Sequence, residues 1–459
     1  MKTDWKKSVL ARVTPSKQDA ALEQKMVRSL IRKINASKGP HVGAVLAGSL
    51  ARNTHLRGDR DLDIFVFYSP SLKRERFEKE GLKLGRAVFG KHFHEEAYSE
   101  HPYIRGSIDG FNVEIVPTFK VAKASEKLSA VDRTPFHASY MKKKLSTRQC
   151  NDVRLLKQFF KGISVYGADV RYQGVPGYLV EILILKYGTF EKALLGISQW
   201  NDHTVIDLER AYGNDSIALS RFHHPFLLVV DPTDASRNVA GALSYNQFAR
   251  AILASRMFMK KPSEKFFFGL NEKPLSTSQI KSYFSKEELI GIHIPYPEKV
   301  LSDVVWGQLN RISTKLLHAL EQYDFCIRRS WVWTDGQSDA YVVFDVENPI
   351  LPKSKLRMGP KVVEQSHVEK FLAAHKQSLS GPRVENGKVV IEVTRSMWKF
   401  SDALLAETKK AVPHEKEEMK HSLGKAVLVN EAHMVKKASS DKEFLSSLSV
   451  FLKGKEPFL

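Results

Sequence analysis

The chain has 459 residues, 42% hydrophobic and 27% charged, which excludes one small core and excludes disorder by composition, so about two to four domains are expected. Its 71 Lys and Arg against 51 Asp and Glu give a net charge of +20, an excess that favours a polyanionic partner because each neutralised phosphate releases counterions. Cys150 and Cys326 sit in no ligand spacing, which excludes a disulfide framework and a cysteine zinc site. The start MKTDWKKSVLARV lacks a signal-peptide core, and no run reaches the ~18 apolar residues of a membrane span, so a reduced cytoplasmic setting is expected.

Along the chain, Leu22, Met26, Val27, Leu30, Ile31 and Ile34 share one face of a helix over residues 18–36, stopped by SKGP. HVGAVLAG follows as a strand ending at Gly48-Ser49. Next comes GSLARNTHLRGDRDLDIFVF, a Gly-Ser turn, a basic helix-like piece, three aspartates in five positions and a strand. A charged helix is expected over 71–88. HFHEEA lacks HExxH spacing and reads as a polar strand or loop. In YIRGSIDGFNVEIVPTF, Asp109-Gly110 signals a hairpin and NVEIVP a second strand closed by Pro117. From about 145 to 262 the pattern is helical, clearest in NDVRLLKQFFKGI, GYLVEILILKYGTFEKALLGI and SYNQFARAILASRMF. KKPSEKFFFG and NEKPLSTSQ mark a boundary. The last third mixes strands and helices, with Asp-Gly and Asn-Gly hairpin turns in WVWTDGQSDAYVVFDV and VENGKVVIEV, basic PKSKLRMGPKVV and the helix QSHVEKFLAAHK. The expected division is a head over 1–144, a helical central domain over 145–262 and a C-terminal part over 263–459.

Alternation on a strand projects Asp61 and Asp63 to one face while Leu62, Ile64 and Val66 point into a core. Two carboxylates on one face repel unless cations lie between them. A pair of hard divalent ions meets that need, and two-metal phosphoryl transfer uses such a clamp. Glu114, in an otherwise apolar strand, is the candidate third carboxylate. The Gly-Ser turn entering a helix offers N–H groups and the Ser49 hydroxyl to a phosphate, with Arg52 about one turn on. Asp59, beside Gly58, reads as a turn or capping residue. The competing reading is a solvated edge strand with ordinary surface acids. Tyr178 and Glu181 read as core packing with a buried polar anchor.

These residues resemble the nucleotidyltransferase superfamily that includes DNA polymerase β. Longer strings are similar to the archaeal-type (class I) CCA-adding enzymes: AYSEHPYIRG, VEIVPTFK, SAVDRTPFH, NDVRLLKQFFKGISVYGA, GVPGYLVEILILKYGTF, VVDPTDASRNVAGALS and RMGP, in family order from about residue 42 to 360, with an echo in HSLGKAV. The resemblance implies an α+β multidomain fold with a mixed-sheet transferase head, a helical middle domain and an α+β C-terminal region that grips tRNA. It implies addition of C, C and A to the tRNA 3′ end from CTP and ATP, with two Mg²⁺ held by Asp61, Asp63 and Glu114. Ser49, Arg52, His137, Lys157 and Tyr166 match positions that grip triphosphate and ribose. Arg237 matches the arginine that reads the base edge, and Tyr98 and Ser99 match the segment flanking nucleotide and primer end. Lys353, Lys355, Arg357 and Lys361 are the expected phosphate contacts to the tRNA acceptor stem and TΨC arm, and a homodimer through the C-terminal region is implied. The chain departs from archaeal relatives in reading Asp-h-Asp with a later Glu, h being apolar, where Glu-h-Asp with a later Asp is common. The rivals are a poly(A) polymerase or oligoadenylate synthetase, and a catalytically silent tRNA-binding scaffold.

Overall fold

Two helices lead the chain, α1 (Trp5–Val13) and α2 (Lys17–Ala36). The second starts at a reciprocal cap in which the Ser16 hydroxyl accepts from Asp19 N–H and the Asp19 carboxylate accepts from Ser16 N–H. The computed structural model describes residues 5–268, 273–284, 288–298, 300–456 and 458–459. Residues 269–272 of the expected boundary therefore lie outside the described residues. The chain divides into two compact units, one of residues 1–272 with 456–459 and one of 273–455.

In the first unit, β1 (His41–Leu46), the single-turn α3 (Gly48–Ala51), β2 (Asp61–Tyr68), α4 (Arg74–Phe89), β3 (His94–Tyr98), β4 (Pro102–Ile108) and β5 (Phe111–Phe119) follow. They form a five-stranded sheet in the order β1-β2-β5-β4-β3, parallel only between β2 and β5. Asp109 and Gly110 both take positive φ, 49° and 79°, the conformation a two-residue hairpin turn demands. Leu62, Ile64 and Val66 join Leu30 and Ile34 of α2 and Phe77 of α4 in one core. Pro117 does not close its strand as expected. It lies inside β5, beyond the last paired residue of β4 (Ile104↔Ile115), where its missing N–H forfeits no bond to that neighbour.

The helical part comprises α5 (Thr134–Lys144), α6 (Thr147–Gly162), α7 (Gly177–Tyr187), α8 (Phe190–Ser198), α9 (Asp215–Arg221), α10 (Tyr245–Lys260) and α11 (Lys265–Phe268). The long apolar stretch 177–198 breaks at Gly188, φ +91°, into two helices. Among these helices sits a feature the pattern did not reveal, a three-stranded sheet of β6 (Thr204–Ile206), β7 (Leu227–Asp231) and β8 (Asp234–Asn238). Phe159, Phe190, Phe258 and Phe267 centre the core of this part.

The second unit carries α12 (Thr277–Phe284), β9 (Leu289–Pro295), α13 (Ser302–Glu321), β10 (Ile327–Thr334), β11 (Asp339–Val346), β12 (Ser354–Lys361), α14 (Gln365–Ala374), β13 (Ser380–Glu385), β14 (Lys388–Thr394), α15 (Phe400–Ala411), α16 (Glu417–Gly424), β15 (Val427–Val429), α17 (Glu431–Ser440) and α18 (Lys442–Lys453). Its sheets are β10-β11-β9-β15 and β12-β14-β13. The fold is thus α+β and multidomain, with a mixed-sheet head, a helical second part and an α+β C-terminal region. Among the described residues no helix is long and apolar enough to cross a membrane.

Candidate active site

Parallel pairing of β2 with β5 sets Asp63 opposite Glu114 and Asp61 opposite Asn112, so all four share one face. Asn112 Nδ2 donates to Asp61 Oδ1 at 2.9 Å. The antiparallel pairs Glu114↔Arg105 and Arg105↔Glu95 extend the row across the sheet. Arg105 Nε donates to Glu95 at 2.8 Å. Burial, then the charge of Asp61, raises the Asp63 carboxyl, although this residue keeps some surface at the rim. Burial, then the charge of Asp63, pushes Glu114 up to about 7, while Arg105 pulls it down.

Gly48 shapes this rim. Its φ is +66°, and a Cβ built there would lie 1.8 Å from Asp63 Oδ2. Only glycine permits both the left-handed turn and that approach. The helix after it is one turn long, not the longer basic piece expected, so few peptide dipoles align and the field offered to a phosphate is small.

Arg52 ends that turn. Its Nε lies 2.9 and 2.7 Å from the two oxygens of Glu181, with the two side chains 8% and 0% exposed. Thr54 donates its hydroxyl to the same carboxylate, and Lys157 Nζ donates to the Thr54 carbonyl at 3.0 Å. Lys157 is fully buried, and that burial lowers its amine to about 8, with Glu181 opposing and Arg52 adding to the shift. A Cβ on Gly177 would meet the Tyr166 hydroxyl at 2.9 Å and Lys157 Nζ at 3.7 Å, so these two side chains converge where α7 begins. Burial raises the Tyr166 phenol.

A second polar cluster centres on Asp231, at the end of β7. Its side chain, 0% exposed, accepts from His137 Nε2 at 2.9 Å, Arg237 Nη1 at 3.0 Å and the Tyr178 hydroxyl at 3.2 Å. Thr233 donates its N–H and its hydroxyl, each at 2.9 Å. The His137 ring stacks on Tyr178 with centroids 4.0 Å apart. Burial alone would raise Asp231, but the His137 and Thr233 hydrogen bonds hold it well below the carboxylate range. Burial lowers His137, and the charge of Arg52 is felt both there and at Asp63, so the clusters share one electrostatic neighbourhood.

Of the expected residues, the structure therefore gathers Asp61, Asp63 and Glu114 at the rim beside Gly48-Ser49, links Arg52 to Lys157 through Glu181 and Thr54, and links His137 to Arg237 through Asp231. Asp59 stands apart in a turn, paired with Lys161 at 3.1 Å. Tyr98 and Ser99 are not gathered. The carboxylate row reaches β3 at Glu95, and Tyr98, exposed, lies three residues further along, about 10 Å away. In the second unit, Lys355 is tied to Asp324 at 2.6 Å and Lys353 lies over the Trp398 ring, while Arg357 and Lys361 are exposed. Asp231 had no forecast role, although an acid ending the apolar run LLVV carries the same signal as Asp63. Tyr178 packs against the core and Glu181 is a buried polar anchor, as expected; their partners, the stacked His137 ring and Arg52, were not foreseen.

Among the described residues no three His, Cys, Asp or Glu side chains close into a metal cage as they stand. The donor set still fits hard cations: it is all oxygen and on one face, and Asp63 and Glu114 are raised first by burial and then by neighbouring negative charge that a cation would relieve.

Residues 28–137 match the family described as nucleotidyltransferase domain, 151–268 the tRNA nucleotidyltransferase second domain, and 288–435 the CCA-adding enzyme C-terminal domain. The chain is 35% identical over 396 residues to a CCA-adding enzyme of Methanoregula boonei, covering 85% of this chain and 83% of that one. It is 35% identical over 376 residues to that of Methanocaldococcus jannaschii, covering 80% and 82%. It is 39% identical over 329 residues to that of Halobacterium salinarum, covering 71% and 70%.

Proposed function

Because the chain belongs to the archaeal-type CCA-adding enzyme family, the class I tRNA nucleotidyltransferases with a polymerase β-like transferase domain, we propose that it adds C, C and A in turn to the 3′ end of tRNA. CTP and ATP are the substrates, pyrophosphate leaves, and no nucleic-acid template directs the order. The observation that carries this reading is the paired Asp63 and Glu114 at the sheet rim, within a chain 35% identical over 85% of its length to a CCA-adding enzyme.

Asp61, Asp63 and Glu114 would hold two Mg²⁺, which when bound neutralise the triphosphate and ease deprotonation of the primer 3′-hydroxyl. Glu114, half-buried beside Asp63 on the same sheet face, is the carboxylate that would accept that proton. The Ser49 hydroxyl and the Arg52 guanidinium, braced by Glu181, take phosphate oxygens. Lys157, His137 and Tyr166 complete the grip on triphosphate and ribose, and Arg237 reads the base edge. Tyr98 and Ser99 would flank the primer end. Glu114 reaches one methylene further than an aspartate, which alters carboxylate spacing but not the chemistry.

In this proposal residues 1–144, 145–262 and 263–459 are head, central domain and tRNA-binding part. Lys353, Lys355, Arg357 and Lys361 meet acceptor-stem and TΨC-arm phosphates, since an RNA duplex is read by shape, phosphates and 2′-hydroxyls. The protein acts in the cytoplasm as a homodimer joined through its C-terminal region. The test is incubation with a tRNA transcript ending at its discriminator base, with each triphosphate alone and in pairs. CTP alone should give two additions, and ATP should add once, only after them. Long A-tails would favour a poly(A) polymerase, and no incorporation would favour a silent scaffold.

A further inference from the structure

The β7–β8 hairpin is held by two acids of different character. Asp234 Oδ2 accepts from Lys127 Nζ at 2.7 Å and Arg133 Nη1 at 3.3 Å, residues of the segment leading into α5. Asp231 instead commits one carboxylate oxygen, Oδ2, to His137 and Arg237 and the other, Oδ1, to Tyr178 and Thr233. These donors come from α5, α7, β8 and the hairpin turn. No acceptor capacity remains for a substrate, so Asp231 acts only through the side chains that it holds.

A guanidinium is a planar fork, so fixing one nitrogen fixes the direction of the remaining N–H groups. Arg237 is anchored to Asp231 by Nη1, yet its side chain is 32% exposed, leaving the rest of the fork open. Sharing one oxygen also ties its placement to that of His137, because moving either donor shifts the carboxylate seen by the other. We infer that Asp231 is a positioning residue for nucleotide choice: it fixes the base-reading plane of Arg237 and couples it to the His137 grip. The inference rests on the CCA-adding reading and adds a specificity determinant to it.

The test uses the full-length protein and a tRNA transcript lacking its CCA end, comparing kcat/KM for CTP and UTP. Asp231→Asn preserves shape but removes the charge and half the acceptor capacity. Its preference for CTP over UTP should fall roughly tenfold or more. The double variant with Arg237→Ala should be no less selective than Arg237→Ala alone, because both changes remove the same arrangement. Asp234→Asn, which loosens the hairpin without touching the cluster, should keep the wild-type ratio. If Asp231→Asn does not melt cooperatively, Tyr178→Phe, which keeps the ring stack but removes one donor, should lower the ratio about twofold or more. An unchanged ratio in the folded variant, an equal loss for every nucleotide, or additive losses in the double variant would overturn the inference. Absence of CTP addition by the wild-type protein would instead reject the CCA-adding reading.

Discussion

Asp63 and Glu114 face one another across two parallel strands, and both are raised by burial and by neighbouring negative charge. A site of that kind is costly to the fold until a cation enters, and enzymes commonly keep such strain where their chemistry lies. Glu114→Gln should therefore stabilise the protein in chelator by about 1 to 3 kcal/mol, measured by denaturant unfolding, and should cut nucleotide addition by about a thousandfold or more. A destabilised variant would show that the carboxylate is a structural anchor. Gly48→Ala places a Cβ where Asp63 Oδ2 sits and strains a φ of +66°. Activity should fall by at least ~100-fold with a loss of about 1 to 3 kcal/mol in stability; unaltered kinetics would reject the close approach.

At the scale of elements, α7 joins the Arg52 and Asp231 clusters. Tyr178 and Glu181, three residues apart on one helix face, reach Asp231 and Arg52 respectively. Glu181→Gln should raise KM for CTP and ATP more than it lowers kcat, because Arg52 loses its brace while the carboxylate row is untouched. Glu181→Ala, which strands a buried guanidinium, should cost about 3 to 5 kcal/mol of stability. The carboxylate strands were legible in the sequence because an acid inside an apolar run has few explanations, and strand alternation assigns its face without any structure. The hairpin turns at Asp109-Gly110 and Asn386-Gly387 were legible for a similar reason, since both positions of each need positive φ. Glu181 was legible as a buried polar anchor, but its partner was not, and neither were the polar partners of Tyr178 and Asp231. Their partners lie far away in sequence: Glu181 is 129 residues from Arg52, and Asp231 is 94 from His137, separations that no local periodicity encodes. The β6-β7-β8 sheet escaped because its strands are only three to five residues long, too short to outweigh the helical pattern around them.

Across the molecule, four histidines (His55, His101 and His137 in the first unit, His433 in the second) are held below the usual imidazole range, in each case by burial first. A histidine with a lowered folded pKa takes up its proton more readily when unfolded, so stability is present above pH ~6.5 and lost as pH falls through that window. His55, lowered to about 4, should alone account for about 3 kcal/mol between pH ~6.5 and ~4, of which about 2 kcal/mol is lost by pH ~5. Unfolding midpoints measured from pH 7.5 to 5 should drop, and His55→Gln should flatten the slope; parallel slopes would show that His55 is not the sensor. Taken as a whole, the chain carries a net charge of +20, an excess that favours a polyanionic partner. The central claim, that the β2 and β5 carboxylates transfer nucleotides to a tRNA end, is tested most directly by single-turnover addition of A to a transcript ending in CC. With Mg²⁺ and ATP the wild-type protein should add one A and stop, and Asp63→Asn should be slower by about a thousandfold or more with ATP binding retained; equal rates for the two proteins would contradict the account.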